Sequence, residues 1–382
     1  MAKVNFNGGD LYAWPKGPVF NFRGARQGWP AWFTALLDRE KITDILLTGE
    51  WRPLHVEAMD IARHRGLRVF VFEEGYLRPG YITMEEGGVN GSSHLPKDPA
   101  TIRALAAALP PPPAPGPLAS HSAALRTHNI MYHAMNMALL WPLFPRYKTH
   151  RPYNIWREVF GGWLPRLLSR KRREKLSGRS LADQRRSGRP YFLFPLQLDS
   201  DAQVRRYSPF SGMLEGISHI LTSFAHCADP GVDLLVRNHP LDPGLINFHA
   251  YIDSYARALK VADRVYYTEG GPGPEMIRRS RGLVLLNSTI GLQALIAGKP
   301  VFYLGQSICA VPGLSHAPAW KKLDDFWHDP SPPDQELLDD FTKILKHTVL
   351  ANGNFYNAQG ARAALPVLLE RLLGPEAAGR HA

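Results

Sequence analysis

Apolar and polar positions along this chain fall into two α/β patterns separated by a charged, helical stretch. Residues 45–47 (Ile-Leu-Leu) read as a buried strand that ends at Thr48-Gly49-Glu50. A helical pattern follows over about 54–64, Gly66 stops it, and residues 67–72 form a second β-rich run. Strand, helix and strand in that order predict a βαβ unit, hence a parallel sheet with helices on its faces. Function in such sheets gathers at the carboxyl ends of strands, a position that falls to Glu73-Glu74-Gly75-Tyr76. The pattern resumes with strands at 191–194, 234–236 and 283–286, a helix over about 289–297 stopped by Gly298, and a strand at 300–304. Residues 334–373 read as mostly helical. Between the halves, residues 110–117 (Pro-Pro-Pro-Pro-Ala-Pro-Gly-Pro) can be neither helix nor central strand and read as a stiff connector. The expected division is therefore 1–108, an insert at 109–188, and 189–382.

With 382 residues and 45% hydrophobic residues, a sizeable core is expected and global disorder is excluded. Two cysteines, Cys227 and Cys309, exclude a disulfide scaffold, show no zinc spacing, and fit a reducing compartment. No apolar run reaches the roughly 18–20 residues of a membrane span, and the first residues lack a signal-peptide core, so the chain is read as soluble and intracellular. The net charge of +11 is concentrated: residues 144–189 hold 14 Lys/Arg against three acids, which equals the whole excess. Trp141, Phe144, Tyr147, Tyr153, Trp156, Phe160 and Trp163 lie in or beside that segment. Rings with a cationic cluster suit a peripheral membrane contact; a solvated helical face is the plainer alternative. The remainder is balanced and no nucleic-acid motif accompanies the charge, so no nucleic-acid partner is expected.

Four constellations can carry chemistry. Asn287-Ser288-Thr289-Ile290-Gly291 lies between a strand and a helix, where a capped helix start can hold phosphate and a glycine allows close approach. His239-Pro240 follows the 234–236 strand and Arg237; proline holds the residue before it extended, and a histidine there can donate to a phosphate. Gln197-Leu198-Asp199-Ser200-Asp201 places two carboxylates at a strand exit, one able to act as nucleophile and the other to set charge or position, or both serving only a turn. Glu73-Glu74-Gly75-Tyr76-Leu77-Arg78-Pro79 puts adjacent acids at a strand end, where like-charge pairing or burial suits proton transfer near neutral pH. Each motif alone also fits an ordinary cap, turn or bend.

In this order, these segments resemble the capsule polysaccharide biosynthesis proteins of Gram-negative bacteria, the β-Kdo glycosyltransferases that build the Kdo linker between a capsular polysaccharide and its phospholipid anchor. The resemblance runs through Val71–Pro79 with Gly88-Val89-Asn90-Gly91, the Gln197–Asp201 segment, His239-Pro240, and Asn287 to Gly298-Lys299-Pro300. It is nearer to the single-module type that adds the first Kdo to lysophosphatidylglycerol. It implies two Rossmann-like domains facing a cleft (a GT-B-like plan) and CMP-Kdo as donor, bound by the carboxyl-terminal half, with no cofactor or metal. Asp201 matches the nucleophile of a retaining reaction through a sugar–aspartate adduct, with Asp199 as the alternative. His239 meets the CMP phosphate; Ser288 and Thr289 hold phosphate or the sugar carboxylate; Arg237 and Lys299 add charge. Glu74 takes the acceptor's proton, with Glu73, Gly75, Tyr76 and Arg78 on the acceptor side. A phospholipid acceptor implies a cytoplasmic protein peripheral on the inner membrane through residues 141–189, alongside other capsule assembly proteins. A sialyltransferase-like CMP-sugar transferase and a non-catalytic export adaptor are the competing readings.

Overall fold

The structure is a computed structural model that describes residues 2–14, 17–112, 116, 131–136, 140–149, 153 and 155–374. The chain forms two compact α/β units, one of residues 1–94, 112–150 and 345–382, the other of 95–111 and 151–344. The expected boundaries at 108/109 and 188/189 are thus corrected. The chain leaves the first unit and returns to it, and the expected insert is shared between the units. Residues 113–115 and 117 of the proline-rich run lie outside the described residues.

In the first unit, β1 (Lys3–Asn5) pairs in parallel with β2 (Val19–Asn21). β3 (Asp44–Thr48), the helix Pro53–His64 and β4 (Arg68–Glu74) make the expected parallel βαβ unit. Gly66 follows the helix at φ +65°, a conformation glycine adopts without penalty. Ile45, Leu47, Val69 and Val71 pack against Trp29, Phe33, Ala58 and Ala62 from the flanking helices. β5 (Tyr81–Glu86), however, pairs antiparallel with β4, so Glu73 and Glu74 end a hairpin arm rather than enter a crossover.

The second unit carries β6 (Tyr191–Pro195), β7 (Asp233–Arg237), β8 (Val265–Thr268), β9 (Gly282–Leu285) and β10 (Val301–Tyr303). They form one all-parallel sheet in the order β10-β9-β6-β7-β8. Counted within the unit this is 5-4-1-2-3, the Rossmann order, and the winding reverses between β6 and β9. Almost every strand residue is apolar because both faces are covered. Phe192, Phe194, Leu234, Val236 and Phe302 join Met213, Ile217, Leu221 and Trp327 in one core. On the other face, Tyr191 Oη donates to the Met276 carbonyl at 2.9 Å, and Tyr303 lies against Gly291.

β11 (Leu350–Asn352) then returns to the first unit and pairs antiparallel with β5, giving the order β11-β5-β4-β3. The helix Ala358–Leu373 seals that sheet through Ala364, which clusters with Ile82 and Ala351. These residues, expected to close the carboxyl-terminal domain, therefore belong to the first. Three residues of β-structure between two helices leave too short an apolar signal to be read as a strand from sequence.

Candidate functional site

The carboxyl ends of β6, β7 and β9 bring most of the sequence-selected residues of the second unit to one edge of one sheet. At the reversal point, Gln197 and Asn287 face each other: Gln197 Nε2 donates to Asn287 Oδ1 at 2.9 Å, and the Asn287 backbone N–H donates to Gln197 Oε1 at 3.3 Å. Asn287 Nδ2 donates to the Gln203 carbonyl at 2.7 Å. Both side chains are buried. These hydrogen bonds tie the loop after β6 to the loop after β9.

The loop after β6 carries the two carboxylates. Asp199 Oδ1 accepts from the Met213 N–H at 3.0 Å, and Oδ2 from Tyr153 Oη and Arg205 Nη2, each at 3.3 Å. Both of its oxygens are thus engaged. Asp201 caps the helix Ala202–Tyr207, its Oδ1 accepting from the Gln203 N–H at 2.9 Å. Tyr153 reads from sequence only as one ring of the aromatic, basic segment and Arg205 carries no signal; their link to Asp199 is visible only in the structure.

Arg237 ends β7. Its Nε is buried without a hydrogen-bond partner, and among the described residues no carboxylate forms an ion pair with it. Burial lowers its pKa. A buried guanidinium donor left unmatched calls for an explanation, and an anion is the partner its chemistry suits. Two residues on, His239 Nδ1 accepts from the Leu241 N–H at 3.1 Å. In the neutral ring that hydrogen bond assigns the proton to Nε2, which makes Nε2 the donor atom of the ring. Pro240 beside it is exposed.

The loop is clamped from outside the sheet. Arg166 Nη1 pairs with Asp242 Oδ2 at 3.0 Å and Nη2 with Glu269 Oε2 at 2.9 Å, while Asn238 Nδ2 donates to the same Asp242 oxygen at 2.9 Å. Arg173 also pairs with Glu269. Sequence reading counted Arg166 and Arg173 only as members of a basic run, because their acids lie 76 and 96 residues away.

Two other expectations change, at Gly291 and Lys299. A Cβ on Gly291 would lie 1.9 Å from Tyr303 Oη, so this glycine admits a core tyrosine, not a ligand. Thr289 occupies the cap position of the helix Ile290–Ile296 without a side-chain cap bond, and Ser288 Oγ accepts from the Ile290 N–H at 3.4 Å. Lys299 precedes β10 in a parallel sheet and so lies at its amino edge, opposite the ends that carry Arg237, His239 and Ser288.

The first unit holds its own polar cluster. Glu74 accepts from Tyr356 Oη and pairs with Arg78 Nη1 at 3.3 Å. Burial, then the neighbouring Glu74, pushes the Tyr356 pKa up. Glu73 Oε2 accepts from Asn90 Nδ2 at 2.9 Å, and Asn90 sits at φ +55°. Tyr76, expected to face an acceptor, is buried: Oη donates to Glu85 Oε1 at 2.5 Å and accepts from the Asn90 N–H at 2.7 Å. Burial raises the Glu85 pKa. Gly75 is required by packing, since a Cβ there would lie 2.4 Å from the Tyr81 carbonyl oxygen. Arg78 Nε also donates to the Gly75 carbonyl at 3.0 Å. Tyr356, Glu85 and the long-range role of Asn90 were beyond sequence reading.

The second unit is thus a doubly wound α/β unit with a partly unmatched arginine, a histidine and two acids at the carboxyl edge of its sheet. A family model described as "Capsule polysaccharide biosynthesis protein" matches residues 43–356, and the chain belongs to that family. It is 32% identical over 366 residues to the capsule polysaccharide export protein KpsS of Escherichia coli, covering 92% of this chain and 89% of that protein. It is 30% identical over 362 residues to the capsule polysaccharide modification protein LipB of Neisseria meningitidis, covering 93% and 85%. Among solved structures, Thermosulfurimonas dismutans KpsC, a beta Kdo 2,7 transferase, matches at 15% identity with a TM-score of 0.45, covering 93% of this chain and 92% of that one.

Proposed function

We propose that this protein is a retaining β-Kdo glycosyltransferase that moves Kdo from CMP-Kdo to a phospholipid-linked acceptor such as lysophosphatidylglycerol, as a cytoplasmic enzyme peripheral on the inner membrane. The observation that carries the proposal is the buried Nε of Arg237, without a hydrogen-bond partner, two residues before His239 at the carboxyl edge of the Rossmann-order sheet. An anionic nucleotide-sugar would give the Arg237 Nε a partner, and the cation would offset the charge that develops as CMP leaves. No metal is required in this scheme.

Asp201 attacks the anomeric carbon and the bond to the CMP phosphate breaks, giving a sugar–aspartate ester. The acceptor hydroxyl then displaces the aspartate and gives its proton to a base, so two inversions retain the configuration. Asp201 is preferred over Asp199 by its place in the family's Gln-x-x-x-Asp pattern, while both Asp199 oxygens accept hydrogen bonds that hold the loop. Ser288 and Thr289 are assigned to the donor's phosphate or carboxylate. Glu74 as the acceptor-side base rests on the sequence resemblance.

Intact-mass spectrometry after incubation with CMP-Kdo tests the reading. A mass increase of one Kdo, mapped to Asp201 and absent from Asp201→Ala, is the expected result. No adduct and no transfer with CMP-Kdo, but turnover with CMP-sialic acid, would reassign the donor. Capsule formation unaffected by Asp201→Ala and Glu74→Gln would make the protein an adaptor.

A further inference from the structure

The helical stretch at residues 155–168 divides its side chains between two faces. Glu158, Gly162 and Arg166, four residues apart, turn inward: Glu158 is buried, Arg166 is clamped by Asp242 and Glu269, and a Cβ on Gly162 would lie 2.7 Å from the Pro243 carbonyl oxygen. Trp156 (58% exposed), Phe160 (59%), Trp163, Leu164, Leu167 (66%) and Leu168 (79%) turn outward at three- and four-residue spacing. A continuous stripe of large apolar side chains in water marks an interaction surface. Trp156 and Phe160 stack with centroids 5.8 Å apart, giving the stripe a rigid aromatic end.

The helix Arg170–Ser187 follows directly, with eight basic and two acidic residues. Arg173 is held by Glu269 and Arg170 pairs with Glu174 at 2.8 Å, while Lys171, Arg172, Lys175 and Arg179 are exposed. Elsewhere in the expected contact over 141–189, Phe144 is buried and Tyr153 bonds Asp199, while Trp141 is exposed. Among the described residues, no helix is long and apolar enough to cross a membrane.

We propose that the Trp156–Leu168 stripe lies in the headgroup region of an anionic phospholipid bilayer, with the cationic residues of 170–179 against the lipid phosphates. Charge complementarity selects this occupant: an apolar ridge continued by exposed cations fits an anionic bilayer better than a second copy bearing the same cations. The surface is tied to the proposed donor site, since Arg166 on the inner face clamps the loop that carries His239. The inference deepens the phospholipid-acceptor reading and rests on it for biological purpose, but its test uses no donor or acceptor.

Co-sedimentation with phosphatidylglycerol/phosphatidylcholine vesicles measures it. The full chain should partition to these vesicles and lose at least about tenfold on pure phosphatidylcholine. A Trp156→Ser/Phe160→Ser/Leu167→Ser/Leu168→Ser variant should lose about tenfold or more, with an unchanged circular dichroism spectrum. Partitioning of that variant equal to wild type, or of wild type equal on both lipids, overturns the proposal. A wild-type dimer in light scattering that this variant converts to monomer also overturns it, because a second copy then covers the stripe. Vesicle binding without any Kdo transfer would leave this surface standing and sink the enzymatic reading alone.

Discussion

Replacing Arg166 by methionine keeps most of the side-chain volume and removes a cation that ties the helical stretch at 155–168 to the loop after β7. Asp242 and Glu269, with side chains 7% and 18% exposed, would lose their partner. Breaking a buried pair by removing one member costs about 3–5 kcal/mol. Glu269 keeps Arg173 and Asp242 keeps the Asn238 amide, so the expected loss is at the lower end, about 3 kcal/mol. For a unit of this size that lowers the melting midpoint by roughly 6–12 °C, measured by calorimetry. The exposed neighbour substitution Arg172→Met should change stability by no more than about 0.5 kcal/mol. Because Asn238 and Asp242 bracket His239, the KM for the proposed donor, CMP-Kdo, should rise in Arg166→Met while KM for the acceptor stays the same. A midpoint within about 2 °C of wild type, with unchanged donor KM, would show that the clamp neither stabilises the unit nor positions the loop.

Other outcomes follow from single contacts. Arg237→Gln should weaken CMP binding about tenfold or more, since a charge-assisted hydrogen bond contributes about 1.5–3 kcal/mol, whereas Lys299→Gln, at the opposite sheet edge, should change it less than about twofold; isothermal calorimetry with CMP separates the two. Gly291→Ala should destabilise by about 1–3 kcal/mol through the clash with Tyr303, read by urea unfolding. Burial pushes the His55 pKa down to about 4, against the opposing hydrogen bond to the Gly49 carbonyl. The unfolded chain therefore binds this proton first, near pH 6.5, and the stability present above that pH falls by about 3 kcal/mol as pH drops to 4. His55→Gln should show a correspondingly shallower loss in urea unfolding between pH 7 and 4, and an identical slope would refute the assignment.

Local and neighbouring information was enough to place strands β3, β4, β6, β7, β9 and β10, the helix that starts at Pro53, and the residues at the strand exits. Strand runs buried on both faces and glycine stops such as Gly66 and Gly298 act within a few residues, so their signal is contained in the chain itself. The same holds for Asp199, Asp201, Arg237 and His239, whose place at the carboxyl ends of a parallel sheet follows from βα alternation. What required the tertiary structure is what depends on distant partners. The chain's return to the first unit through Leu350–Asn352 rests on backbone pairing with Tyr81–Thr83. The employment of Gln197 in an amide pair, of Gly291 beneath Tyr303, and of Arg166 between Asp242 and Glu269 involves contacts 12 to 103 residues apart. A sequence displays a residue's chemistry and its local geometry. Whether its polar atoms are already satisfied, as at Asn287, or left unmatched, as at Arg237, is decided only when remote segments close around it.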